Sequence, residues 1–444
     1  MQLLIVDNNY LFVNVNVTVF ELNLKIHIFI MQIKKIYIVL IIIVKTGCNT
    51  VNEKSLFNKQ SLIKFQKELI KNEITGSNEI VIFKDDSLFY RHTENTNNKY
   101  DKKINNETIF ALWSTSKVVT TIGMFILEEK NLIDFNDPVS KYIPSFSNLN
   151  CMKTKKQKNT NFEDGDDYCL SSDNIYSCEN QMKIIDLMSH RSGFCTPENF
   201  YVDAVKADNL EELMKIISKQ PLQYEPGTKY LYGVNQSILG RVIEVASNMQ
   251  FGEFLDEYLF TPLDMNSTKF YLTKEDKINF QPLFLNTPSI KGYLQDGITS
   301  RGNILTYDQT DKTNLGAEGL LTTTSDFMKF CKMLVNNGTY EGKKIISPQS
   351  IKTMTRKYSE GYPKEDRSFQ NQLGYYMGLS VYVLEDPNIM NQGAPKGIYG
   401  WGGLQYTEFW IDPENSMFVI FMTRSQSYKG ILEDLIRAVY KVVN

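Results

Sequence analysis

Ser114-Thr115-Ser116-Lys117, running straight into Val118-Val119-Thr120-Thr121-Ile122-Gly123-Met124-Phe125-Ile126-Leu127, is the stretch on which the reading turns. The strongly apolar run from Ser114 to Glu129 predicts a buried helix. Serine and lysine three residues apart share one helical face, close enough for the amine to take the hydroxyl proton. Burial disfavours a charged ammonium, and that makes a lysine usable as a base. A serine at a helix N-terminus also holds its oxygen near the positive end of the macrodipole. The spacing alone is weak, because Ser61-Leu62-Ile63-Lys64 repeats it on the exposed face of another expected helix.

Outward from this helix the pattern is mixed. Residues 57–72 read as an amphipathic helix, and strands are expected at Glu79–Phe83 and Leu88–Arg91 around an Asp85-Asp86 turn. Asn136-Asp137-Pro138 reads as a helix start, with proline at the first helical position. Residues 150–180 form a polar insertion. Further helices are expected at 182–189, 209–219, 235–247, 251–259, 324–336 and 347–356. Strands return at about 376–384, 404–411 and 417–423, and a helix closes the chain at 428–442. Strands at both ends with helices between predict an α+β protein: one antiparallel sheet built from both chain ends, flanked by helices, plus a mostly helical part. Residues 57–444 then form a single domain.

Two later elements offer partners for Ser114. Leu231-Tyr232-Gly233-Val234-Asn235 follows Glu225-Pro226-Gly227-Thr228 and leads into the helix at 235–247. A tyrosine at such a turn can relay a proton when a nearby cation lowers its pKa. Tyr232 is one of 25 tyrosines, so a packed aromatic is the plain alternative. Tyr399-Gly400-Trp401-Gly402-Gly403 enters the expected strand at Leu404, and glycines there permit the close backbone approach that an oxyanion hole needs. The plain alternative is a tight turn with a bulge.

Together these residues resemble the serine β-lactamase-like family, which includes class C β-lactamases, D-alanyl-D-alanine carboxypeptidases and family VIII esterases. The resemblance covers roughly residues 60–444. It extends to Leu132-Ile-Asp-Phe-Asn-Asp-Pro-Val139 with Tyr142-Ile-Pro144, Leu187-Met-Ser-His-Arg-Ser-Gly193, Gly316-Ala-Glu-Gly-Leu-Leu-Thr-Thr-Thr-Ser-Asp326 and Phe409-Trp-Ile-Asp-Pro413. It implies a β-lactamase/transpeptidase-like fold. It also implies a serine hydrolase in which Ser114 attacks and Lys117 and Tyr232 move the proton.

Departures from the family pattern sharpen the expectation. β-Lactamases of this family carry Tyr-x-Asn, whereas here Asn235 stands three places after Tyr232. They carry Lys-Thr-Gly on the substrate-side strand, whereas here Trp401-Gly402-Gly403 stands instead. The missing lysine would have met a substrate carboxylate. Both changes resemble the esterase branch. The expected substrate is therefore an uncharged carboxylic ester, held by Trp401, Gly402, Gly403, Leu404 and Asn235. The N–H groups of Ser114 and of a residue near Gly403 or Leu404 are expected to hold the oxyanion. A β-lactam or D-Ala-D-Ala peptide is the alternative within the same mechanism, and a non-catalytic scaffold that keeps the fold is the alternative outside it. His190 reads as a helix C-terminal cap rather than a triad member.

The first fifty residues read differently. Met31-Gln-Ile-Lys-Lys35, the apolar run Ile36–Val44 and Thr46-Gly47-Cys48 resemble an exported lipoprotein signal, with residues 1–30 a spurious or non-structural extension. Cys48 is the expected lipid attachment, which makes the chain a periplasmic or cell-envelope protein held to the membrane. Export permits disulfides, and two of Cys151, Cys169 and Cys178 could pair in their shared loop, while Cys331 reads as a core thiol. A net charge of −3 argues against nucleic acid as a partner. With only His27, His92 and His190, a His-rich metal site is excluded, and no metal or organic cofactor is implied.

Overall fold

The computed structural model describes residues 59–153, 174–197, 199–294, 313–360, 374–427 and 429–444. The expected signal at 31–48, Cys48, the extension at 1–30, Cys169 and most of the polar insertion lie outside the described residues. Leu62–Asn444 forms one compact unit.

Residues 59–71 form α1. Strand β1 (Asn78–Lys84) is buried over its first five residues, and β2 (Ser87–Glu94) returns beside it. Asp85 and Asp86 both adopt left-handed backbone, φ 50° and 56°, which suits the twist of a two-residue hairpin. The rest of the sheet comes from the far end of the chain: β3 (Ser359–Glu360), β4 (Tyr375–Met377), β5 (Tyr382–Leu384), β6 (Tyr399–Gly402), β7 (Glu408–Asp412) and β8 (Met417–Thr423). Among the described residues the order is β3-β4-β5-β6-β7-β8-β1-β2, antiparallel throughout. The sheet built from both ends is thus present, with Asn78 opposite Thr423.

Helices cover both faces. Phe409 and Asp412 lie three residues apart on β7 and so point to opposite sides of the sheet. Phe409 meets Phe327 of α4 (Thr324–Val335) edge-on, ring centroids 5.2 Å apart. Asp412 accepts from the Tyr440 hydroxyl of α5 (Leu432–Val443) at 2.7 Å. The remaining helical part is built around α2 (Ser116–Glu129), whose residues from Ser116 to Leu127 are all buried, and it packs against α3 (Asn235–Ser247). A helix hidden on every side has no polar face to show, in keeping with its composition.

Several boundaries move for local reasons. The expected strand 376–384 is a hairpin, because Ser380 is left-handed (φ 58°) and Gly378 N–H closes on the Val381 carbonyl at 2.8 Å. The expected strand 404–411 begins only at Glu408. Leu404 belongs to the turn between β6 and β7, closed by Gly403 N–H to Thr407 O (2.8 Å) and by Tyr406 at φ 59°. Asn136-Asp137-Pro138 starts no α-helix. Pro138 is extended and only a 3₁₀ turn, Val139–Lys141, follows. There the Asp137 carboxylate instead takes the Tyr142 hydroxyl (2.6 Å) and the Lys141 ammonium (2.8 Å).

Cys151 and Cys178 form a disulfide, Cα atoms 5.0 Å apart, and Cys195 is disulfide-bonded as well. Cys331 is a free, buried thiol, as its surroundings of Phe327, Phe330 and Leu334 predict.

Candidate active site

Ser114 sits in a single 3₁₀ turn, Trp113–Thr115, that feeds directly into α2. Its predecessor Trp113 is buried at φ 48°, a left-handed conformation that a bulky residue adopts only when its surroundings force it. The forcing contacts are visible. Thr407 Oγ1 donates to Leu112 O (3.0 Å), and Thr115 Oγ1 donates to Thr407 O (3.2 Å), so the β6–β7 turn clamps the chain on both sides of the serine. Gly403 completes the clamp, since a Cβ there would strike Thr407 Oγ1 and the Leu112 carbonyl.

Lys117, in the first turn of α2, is buried and points back to the serine. Its Nζ donates to Ser114 Oγ at 3.2 Å and to the Ala317 carbonyl at 2.8 Å. The second bond fixes the amine in place without a carboxylate partner. Ser116 and Thr120 hold the same segment: Ser116 Oγ accepts from Leu320 N–H (3.2 Å), and Thr120 Oγ1 donates to Gly316 O (2.7 Å). Three side chains on one side of α2 thereby stitch residues 316–320 beside the nucleophile.

Tyr232 enters from the segment before α3. Leu231 N–H bonds to His190 O (2.7 Å), and the Tyr232 ring lies 4.8 Å from the His190 ring, centroid to centroid. Lys117 Nζ stands 4.7 Å from the centre of the Tyr232 ring, over its face. The structure therefore brings Ser114, Lys117 and Tyr232 together, the amine resting on the face of the phenol ring.

Trp401 and Asn235 are near but do not line the opening as expected. Trp401 is fully buried and forms a wall behind Tyr232, centroids 5.9 Å apart, with His190 and Tyr382 on its other sides. Asn235 is fully buried at the first turn of α3, where it accepts from Ser192 Oγ and donates to His190 Nδ1 at 3.0 Å. Both ends of its amide are bonded inside the protein. Of the two candidate oxyanion donors on the β6–β7 turn, Gly403 N–H is bonded to Thr407 O at 2.8 Å.

His190 is placed more centrally than a cap requires. It does follow the helix Ile184–Met188 in a left-handed conformation (φ 54°). Its ring, however, is fully buried against Tyr232 and Trp401. Burial first, and then the Lys117 charge, hold its pKa well below 6.5, so the ring is neutral. Its two ring nitrogens each face an amide nitrogen, Nδ1 that of Asn235 at 3.0 Å and Nε2 that of Gln236 at 3.3 Å. Gln236 and Ser380 extend the network to Thr121 of α2. His190 and Gln236 thus brace Tyr232 from behind. Their signal was the single histidine inside Leu187–Gly193, legible as unusual but not as an aromatic support.

The Beta-lactamase family model matches residues 66–442. The chain belongs to the beta-lactamase family. Among relatives of this β-lactamase-family chain, an Escherichia coli (strain K12) protein provisionally named a D-alanyl-D-alanine carboxypeptidase is 23% identical over 398 residues, 84% of each chain. A Salmonella typhimurium (strain LT2) protein of the same provisional name is 24% identical over 381 residues, 80% of each. Among solved structures, EstCE1, described as a hydrolase with promiscuous acyltransferase activity, superposes with a TM-score of 0.69 at 19% identity. That match covers 88% of this chain and all of the other. Unliganded simvastatin synthase from Aspergillus terreus gives 0.63 at 15% identity, covering 88% and 98%. These structural likenesses establish the β-lactamase/transpeptidase-like fold, and the family makes the chain a serine hydrolase of the β-lactamase type.

Proposed function

We propose that this serine hydrolase acts through an acyl-enzyme on carboxylic esters that carry no anionic group. Ser114 Oγ attacks the ester carbonyl while Lys117 and Tyr232 between them take its proton. The N–H groups of Ser114 and Leu404 hold the oxygen that gains charge. Collapse breaks the acyl–oxygen bond, and the departing alkoxide takes the proton and leaves as an alcohol. Water then attacks the acyl-Ser114 carbonyl, gives up its proton by the same route and releases the carboxylic acid with Ser114 restored.

The observation that carries the reading is the bond from Lys117 Nζ to Ser114 Oγ beside a strand that offers tryptophan rather than lysine. Two described arginines, the alternative cations for a carboxylate, donate to other groups. Arg191 donates to the carbonyls of Gly227 and Tyr358, and Arg424 to Gln405 Oε1 and the Gln281 carbonyl. Arg301, another candidate, lies outside the described residues. A panel of p-nitrophenyl esters, nitrocefin and a D-Ala-D-Ala peptide tests the reading, with the neutral esters expected to be turned over fastest. Turnover of the peptide alone would favour the activity named for the bacterial relatives, and turnover of nitrocefin alone a β-lactamase. Failure of a fluorophosphonate probe to label the protein would favour a scaffold.

We further propose that the chain is exported and anchored through a lipid on Cys48. The disulfides support that reading, since they persist in oxidising compartments. Among the described residues, no helix is long and apolar enough to cross a membrane.

A further inference from the structure

The polar stretch at 150–180 has no part in the mechanism above, yet its two described ends close on the segment that carries Tyr232. Asn150–Met152 pairs with Ile175–Ser177, and the Cys151–Cys178 disulfide crosslinks the pair. Both ends then hold residues 222–226. Leu222 N–H donates to Asn150 O at 2.7 Å, and Met152 N–H donates to Leu222 O at 2.9 Å. The Glu225 carboxylate accepts from the backbone N–H groups of Glu179 (3.1 Å) and Asn180 (3.0 Å), and Asn180 Nδ2 donates to Pro226 O at 3.0 Å. That carboxylate also has an oxygen within 4.8 Å of both sulfurs.

The other side of the same segment lies along residues 190–195. Gln223 N–H bonds to Gly193 O (2.8 Å), Gly227 N–H to Arg191 O (2.8 Å) and Leu231 N–H to His190 O (2.7 Å). The two stretches touch backbone to backbone. A Cβ on Gly193 would strike the Tyr224 carbonyl, and one on Gly233 would strike the Phe194 carbonyl and the Cys195 backbone. Residues 222–233 are therefore gripped from two directions, and Tyr232 stands near the end of the strip with Lys117 Nζ 4.7 Å from its ring centre. A misplacement of about 1 Å can cost a reaction about a hundredfold in rate, so the stiffness of this strip bears on turnover.

We propose that Glu225 and the Cys151–Cys178 crosslink form a positioning clamp for Tyr232, which gives the ends of the polar stretch a part in turnover. Glu225 and the two cysteines touch no reacting atom. They fix residues 222–226, and through them the path of the chain to Tyr232. The inference rests on the reading in which Tyr232 shares the serine proton with Lys117, and the experiment separates the two.

Cys151→Ser/Cys178→Ser and Glu225→Ala, each made with Tyr232 intact and with Tyr232→Phe, form two mutant cycles read as kcat for p-nitrophenyl butyrate. Fluorophosphonate labelling taken to completion counts the intact sites, so kcat is expressed per labelled serine. With Tyr232 intact, loss of the crosslink should lower that kcat about ten- to a hundredfold, and Glu225→Ala should lower it about three- to tenfold. In the Tyr232→Phe background each change should alter it by less than about twofold. Labelling should be slower in the clamp variants and reach the wild-type end point. A lowered end point with kcat per site unchanged means a structural role only and overturns the inference. Equal losses in both backgrounds also overturn it. Glu225→Ala keeps the crosslink, so its cycle decides the matter even if the cysteine variant fails to fold. A wild-type kcat in Tyr232→Phe alone would instead overturn the proton-transfer role of Tyr232, and the clamp with it.

Discussion

The imidazole of His190 lies nearly parallel to the indole of Trp401, 13° between their planes and 6.3 Å between centroids. Stacking against a fully buried indole leaves the imidazole no water, and Lys117 stands close by, so the ring stays neutral. Its pKa is lower in the folded chain than in the unfolded one, where it is near 6.5. The unfolded state therefore takes up the proton first. Stability from this group is full above about pH 6.5 and is lost as pH falls below it, by at most ~1.4 kcal/mol per pH unit. Between pH 7.5 and 5.5 the melting temperature of the wild type should therefore fall relative to that of His190→Gln measured in parallel.

Glu408 gives the opposite slope. Burial pushes its carboxyl from 4.5 up to about 8, so the folded chain holds a proton that the unfolded chain has released. Stability is full below about pH 4.5 and is lost as pH rises towards 8, with a ceiling of ~5 kcal/mol. Glu408→Gln should stabilise the protein more at pH 8 than at pH 5. Equal shifts in melting temperature at both pH values would show that the carboxyl is ionised throughout.

Ser114→Ala should abolish turnover and fluorophosphonate labelling, while Ser61→Ala should change neither. Lys64, the lysine that follows Ser61, has a side chain 78% exposed and pairs with Glu68, whereas Lys117 is sealed in. Lys117→Ala should keep the fold and lose most activity, the expected cost of removing a general base being about 10²–10⁴-fold. Mass spectrometry of the labelled peptide identifies the serine directly.

Trp401→Lys should raise nitrocefin turnover relative to p-nitrophenyl butyrate by about ten- to a hundredfold, the worth of one charged hydrogen bond. It should also lower the melting temperature, because three ring neighbours lose their contact. Trp401→Phe separates the effects, lowering stability less and leaving the substrate ratio as it was.

Cys48→Ser should move the protein from the membrane fraction to the soluble fraction without altering its rate of ester hydrolysis. Fractionation of cells followed by activity assay reads both outcomes. Retention in the membrane would point to an uncleaved anchor at 36–44.

Local chemistry made much of this molecule legible in its sequence. The nucleophile helix announced itself through an apolar run that only burial can satisfy, and the Ser114–Lys117 spacing has one geometric meaning on such a helix. What stayed hidden depended on contacts between distant segments. Nothing local to Asn235 says that Ser192 and His190 will consume its amide, and nothing local to Trp401 says that its indole will be walled in. Glu318 and Glu408 lie within or beside recognisable motifs, yet a carboxylate reads as surface until folding buries it. Gly402-Gly403 reads as a strand's entrance and so puts Leu404 in the strand, while Tyr406, left-handed without being glycine, carries no local sign of the hairpin.

The hydrogen bond from Thr423 Oγ1 to the Ser77 carbonyl joins residues 346 positions apart. Strand β1 has its inner neighbour only when β8 arrives, and until then its apolar edge is open to any other strand. Loop closure over such a distance has to be made before the pairing rewards it, which makes folding slow and late. The turn that clamps Ser114 belongs to the same late segment, so the nucleophile acquires its forced backbone only after nearly the whole chain has emerged. A polypeptide of this topology stays inert until its last strands are in place, so activity reports completed folding rather than a partly assembled chain.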